Sequence, residues 1–165
     1  MLPADNRQAY TRRDIMKRVV FAGLLLVASV SFAGQEAVTY RKDIAPVWEQ
    51  KCKKCHAADA PGLAEFDANK DKYKMLNKGP RMDSYPHLVQ FVGWPDTGAL
   101  MRRLDDGKNT QDGKPGNMYI NLGANDEERQ KNLELFKAWV GEGGWVLKKF
   151  KDLTREDLGK MQVPE

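Results

Sequence analysis

Hydrophobic residues recur along this chain at helical spacing, and no segment has the sustained alternation of a half-buried strand. Tyr40, Ile44, Val47 and Trp48 stand at i, i+4, i+7 and i+8, one face of a helix. Its first turn opens at Asp43 and tolerates Pro46. Ser84-Tyr85-Pro86 opens a second helix, which carries Leu88, Val89, Phe91 and Val92 and stops at Gly93. Trp94-Pro95-Asp96 then turns the chain, and Thr97 caps a short helix bearing Leu100, Met101 and Leu104. The clearest amphipathic helix begins at Asn125 and Glu128, which have the spacing of a capping box. It presents Leu133, Phe136, Trp139 and Val140, and Gly141 ends it. Gly143-Gly144 reads as a linker, and Thr154 with Asp157 as a second capping box for a last short helix. There is no internal repeat. The pattern predicts an all-α domain.

Two stretches lack this periodicity. Residues 57–78 are polar, with a turn at Pro61-Gly62 and a solvated charge run over 69–74. Residues 105–117 are rich in Gly, Asp and Asn and lead directly into Met118. A loop of that length in a small domain is usually functional or mobile.

The chain has 165 residues, enough for one domain, but its start belongs elsewhere. Met16-Lys17-Arg18 is a basic start, residues 19–30 are an apolar run, and Ser31-Phe32-Ala33 offers small residues for cleavage. Residues 1–33 therefore read as a signal peptide whose true start is either Met1 or Met16. An uncleaved membrane anchor is the competing reading. Thr11-Arg12-Arg13 resembles a twin-arginine signal, although a Sec route suits a protein that acquires its cofactor after export. The formal charge of +4 is mostly leader, which holds five Lys/Arg and two Asp/Glu. The remainder is close to neutral and lacks the concentrated basic excess of a nucleic-acid binder.

The candidate chemistry lies in Cys52-Lys53-Lys54-Cys55-His56. Cys-x-x-Cys followed at once by His is the attachment sequence of a c-type haem. Each thiol adds across one haem vinyl group, and the His then ligates iron from one face. A thioredoxin-like dithiol would require a βαβ setting, which is absent. Half of a zinc site would require a second ligand pair, yet the chain has two cysteines in all and one further histidine, His87. With both cysteines committed to haem, no disulfide remains.

A helix leading into Cys-x-x-Cys-His, a later Met-bearing loop and a closing amphipathic helix together resemble the class I monohaem cytochromes c of exported bacterial type. The resemblance runs over about residues 40–140, in the order of Tyr40/Ile44/Val47, Cys52 to His56, 95–104 and Leu133/Phe136/Trp139. It implies a small all-α fold wrapped around one covalently bound haem, with long loops. The domain is expected over 34–144, followed by a C-terminal extension, 145–165, packed on the domain or on a partner. It also implies that a Met sulfur opposes His56 on the iron. By position that Met is Met118, although Tyr119 replaces the Pro that commonly follows it in the family.

The other candidate ligands differ in their settings. Met101 lies between Leu100 and Leu104 and reads as core filler, Met75 lies in a charged stretch, and Met161 is near the end. Met82 follows Pro80-Arg81 in a turn and can reach a haem edge. Met118 has small neighbours that permit close backbone approach to a flat ligand. His87 is the alternative sixth ligand and would give a lower potential than a thioether.

With iron held on both faces, the expected role is periplasmic electron transfer between redox partner proteins, with no substrate chemistry at the iron and no membrane span once the leader is removed. A basic rim of Lys42, Lys51, Lys53 and Lys54 would steer an acidic partner; the same residues also read as an ordinary solvated face. Two alternatives stand beside this role: a haem-bearing subunit of a larger periplasmic oxidoreductase, and a ligand-binding or peroxidatic haem protein.

Overall fold

A computed structural model describes residues 36–93, 98–110, 112–145 and 150–165 of the chain. The leader expected over 1–33, the turn Trp94-Pro95-Asp96 and the cap at Thr97 lie outside the described residues. Among the described residues every regular element is helical and there is no strand.

The first element enters through a wide helical turn, Tyr40–Ile44, and continues as α1 (Ala45–Lys51). Thr39 caps it, and Asp43 returns a carboxylate to the Thr39 N–H at 2.8 Å. Pro46 sits in the first turn of α1, where a missing N–H costs nothing. The haem-motif residues form α2 (Lys53–His56). Two short helices follow, α3 (Leu63–Ala68) and α4 (Lys70–Met75), where the polar sequence gives no periodic signal. Their stability is local: Phe66 stacks on Tyr73 at 6.3 Å, and Tyr73 hydrogen-bonds Glu65. Next come α5 (Tyr85–Gly93) and α6 (Ala99–Leu104), the latter entered from Gly98 in a left-handed conformation. A 3₁₀ turn, Tyr119–Leu122, precedes the long α7 (Asp126–Trp145), and α8 (Arg155–Gly159) closes the chain.

The apolar faces predicted from spacing meet in one core. Ile44 and Trp48 from the first element pack with Leu88, Phe91 and Val92 of α5 and Leu100, Met101 and Leu104 of α6. Leu133, Phe136, Trp139 and Val140 of α7 complete it, each essentially without solvent exposure. Tyr40, Tyr85 and Trp139 form an aromatic group with centroids 5.3–6.5 Å apart.

Asn125 accepts the Glu128 N–H at 2.9 Å, as a capping box requires, but the Glu128 carboxylate returns to Ala124 rather than to the cap residue. The second box, Thr154 with Asp157, is complete. Gly141 does interrupt α7, with φ at +69°. Gly143-Gly144 is not a linker: both residues are buried, and a Cβ on Gly143 would stand 2.7 Å from the Met161 backbone nitrogen. The glycines let the tail lie directly on α7.

That tail then bonds the core. Gln162 and Val163 donate to the Val140 and Trp139 carbonyls at 3.1 and 2.8 Å. The Pro164 carbonyl accepts both the Tyr40 N–H at 2.9 Å and the Trp139 indole at 3.0 Å, while Val163 accepts the Tyr85 hydroxyl at 2.6 Å. Residues 37–165 cluster as one unit.

Candidate haem site

Helical hydrogen bonds carry straight through the motif. Cys52 N–H reaches the Trp48 carbonyl at 2.8 Å, and Cys55 and His56 both reach the Cys52 carbonyl at 3.1 Å. Residues at i, i+3 and i+4 share a helix face. Cys52 and Cys55, half-buried, and His56, buried, therefore line one side, while Lys53 and Lys54 point to solvent.

The segment after α4 clasps this turn from outside. Gly79 donates to the Cys55 carbonyl and Met82 to the His56 carbonyl, each at 2.9 Å. The Pro80 carbonyl lies 2.6 Å from His56 Nδ1. A carbonyl only accepts, so Nδ1 carries the proton and the lone pair resides on Nε2. Burial lowers the His56 pKa, and the Pro80 bond only partly opposes it, so the ring is held neutral, the form that binds metal. Burial, then the neighbouring Cys55, pushes the Cys52 thiol up to about 12. Such a site resists a thiolate, which zinc would need, and suits an uncharged sulfur such as a thioether. Neither cysteine is in a disulfide. The donor set therefore fits a covalently attached porphyrin.

Met118 follows a loop that is far from structureless. Buried Asp105 accepts the Gly107 N–H at 2.7 Å, the Asn109 N–H at 3.2 Å and the Asn109 amide at 2.8 Å. Gly116 donates to the Asp105 carbonyl and Met118 to the Arg103 carbonyl, at 2.8 and 2.9 Å, so α6 fixes both ends of the loop. The Met118 side chain is partly buried on the same core as Cys52, and Asn121 Nδ2 donates to its sulfur at 3.7 Å.

The remaining candidates are placed differently. Met101 is buried core, as its neighbours predict, and Met75 is 79% exposed. Met82 donates its backbone N–H to the His56 carbonyl and is partly buried against the core. His87 is half-exposed in the first turn of α5, with Nδ1 2.9 Å from Asp83 and 3.0 Å from the Ser84 hydroxyl. Hydrogen bonds from Arg81 and His87 hold Asp83 at about 2 against a smaller effect of burial. The expected basic rim is largely compensated: Lys51 pairs with Glu128 at 2.5 Å and Lys53 with Glu49. Gly79, Pro80 and Asn121 escaped the sequence reading. A backbone carbonyl has no side-chain signature, and the turn dipeptide Gly79-Pro80 is its one trace.

A family model described as PccH cytochrome c matches residues 39–164. The chain belongs to this family. A solved structure of the monohaem cytochrome PccH from Geobacter sulfurreducens is 56% identical, with a TM-score of 0.71, over 78% of this chain and 98% of that one. No match was found among curated proteins. Membership in the PccH cytochrome c family confirms the small all-α monohaem cytochrome fold and makes this a haem c electron-transfer protein, which implies redox partner proteins. The family match runs through the tail to residue 164, beyond the 40–140 span of the class I resemblance. Among the described residues no helix is long and apolar enough to cross a membrane.

Proposed function

We propose that the chain is a periplasmic electron carrier whose single haem c would be held by thioethers to Cys52 and Cys55 and ligated by His56 Nε2 and Met118 Sδ. The haem supplies the one-electron ferric/ferrous couple when bound. The chain's own residues do the rest. Cys52 and Cys55, one helical turn apart on one face, supply two sulfurs to one edge of the ring. Pro80 orients His56 through Nδ1 and raises the basicity of Nε2, the usual effect of such a partner on a ligating histidine. Met118, anchored by its N–H to Arg103, supplies a thioether that favours ferrous iron and raises the potential. With His56 and Met118 both committed to the haem, no position would be left for a substrate and the site would pass electrons only. The leader pattern of residues 1–33 and the haem motif together support export to the periplasm.

The single observation that carries this reading is the 2.6 Å approach of His56 Nδ1 to the Pro80 carbonyl, which leaves Nε2 as the ligating nitrogen. The test is spectroscopic. The purified exported protein should keep its haem through acid–acetone extraction, and Cys52→Ala with Cys55→Ala should lose it. Met118→Ala should abolish the weak near-infrared sulfur-to-iron band and open the ferric protein to cyanide. His87→Ala should leave both unchanged; absence of the band from the unaltered protein, with cyanide entry opened by His87→Ala and not by Met118→Ala, would transfer the sixth position to His87.

A further inference from the structure

Tyr119 occupies the place where the class I pattern has Pro, so the chain after Met118 lacks the ring that would stiffen it. Something else must hold it. The Tyr119 hydroxyl accepts Gln130 Nε2 from α7 at 2.9 Å. The same nitrogen donates to Asp106 Oδ2, on the loop after α6, at 3.0 Å. An amide nitrogen has two protons, so Gln130 commits one to each partner. The Asp106 side chain is 4% exposed and also receives Lys108 Nζ at 2.8 Å. One side chain thus ties together the three segments around Met118: the loop that leads to it, the residue that follows it, and the helix behind it.

We propose that Gln130 is a positioning residue that latches the Met118 loop shut by bridging Tyr119 to Asp106. This rests on the reading of Met118 as the sixth ligand. The latch acts on the loop rather than on the fold. The 3₁₀ turn is separately anchored to α7 by Asn132, which donates to the Leu122 carbonyl at 2.6 Å, and by Arg129, which donates to the Gly123 carbonyl at 3.1 Å. Removing Gln130's two bonds therefore leaves the helix packing intact. It releases Tyr119, and with it the sulfur one residue earlier. Leaving the iron briefly is then easier for the sulfur, and an outside ligand gains entry.

The test uses ferric holoprotein, with cyanide as the probe. Gln130→Leu should speed cyanide association roughly 3- to 10-fold, the range a lost hydrogen bond allows, and should weaken the near-infrared sulfur band. Tyr119→Phe removes one arm only and should give a smaller acceleration, with nothing added when it is combined with Gln130→Leu. The exchange Asp106→Asn with Gln130→Glu rebuilds the bridge with donors and acceptors reversed. It should bring the rate back towards that of the unaltered protein. A cyanide rate unchanged in Gln130→Leu, additive effects of the two single changes, or failure of the exchange to restore the rate would each overturn the latch. A sulfur band that survives Met118→Ala would overturn the ligand assignment, and the latch with it. A band lost in Met118→Ala but indifferent to Gln130 would sink the latch alone.

Discussion

Gly79 lies against the ring of His56 so closely that a Cβ at that position would stand 2.7 Å from Nδ1 and 2.8 Å from Nε2. No side chain fits there, and the residue is also held in place by its bond to the Cys55 carbonyl. Gly79→Ala should therefore push the imidazole aside or draw Pro80 away from Nδ1. The expected cost is about 1–3 kcal/mol of stability, as for other overpacked sites. Chemical denaturation of the holoprotein measures that cost, and the low-spin absorption bands report the displaced ligand. A variant with unaltered spectrum and stability would contradict this contact.

Acid stability should be governed by two carboxylates. Hydrogen bonds from Arg81 and His87 hold Asp83 at about 2. Burial pushes Asp106 up, but hydrogen bonds from Lys108 and Gln130 outweigh it and hold it at about 2 as well. Both lie below their ordinary value of 3.8. A depressed carboxyl contributes stability above its unfolded pKa, and the contribution is lost as pH falls through the folded one. Unfolding free energy should then fall between about pH 4 and pH 2. Asp106→Asn should remove about one proton from that linkage, seen as a shallower slope in denaturant midpoints against pH.

The tail should be worth more than its length suggests. Deleting residues 162–165 strips acceptors from the Tyr40 N–H, the Tyr85 hydroxyl and the Trp139 indole. Water replaces part of each bond, so the expected loss is about 1–3 kcal/mol in total. Pro164→Ala keeps the carbonyl that does the accepting, and it should be nearly neutral. Thermal unfolding of the two variants separates backbone anchoring from side-chain packing.

Trp139 is the keystone of the core, buried against Tyr40, Tyr85 and Phe136. Trp139→Ala should cost about 3–5 kcal/mol, the range for deleting a large buried aromatic. Trp139→Phe retains most of the volume but leaves the Pro164 carbonyl with one donor fewer. It should fall between the two in a denaturant titration.

The parts legible from sequence are those where one face must be apolar over two or more turns. Ile44 with Trp48, and Leu133 with Phe136, Trp139 and Val140, could be placed because helical spacing leaves few alternatives. The thiols and His56 were legible for a different reason: their spacing is dictated by the attachment chemistry. Helices α3 and α4 were not, because a single stacked pair, Phe66 on Tyr73, supports them, and a pair has no period. Residues 105–117 read as open loop because Asp105 is a polar letter; nothing in sequence tells that its carboxylate is buried and organises three donors. The same blindness applies to Gly143-Gly144, where a flexible-looking pair is a tightly packed contact. At the site itself, the Pro80 carbonyl and the Gln130 bridge depend on which distant segments meet, and single-chain periodicity carries no such information.

The bond from the Tyr40 N–H to the Pro164 carbonyl makes neighbours of two residues at opposite ends of the folded domain. The polypeptide is in this sense a closed circuit. A short peptide splice could join its termini, and new ends could be cut at an exposed turn such as Asp112-Gly113. In that rearranged chain Cys52 to His56 would follow Met118 in order of synthesis, with the spatial neighbours of both unchanged.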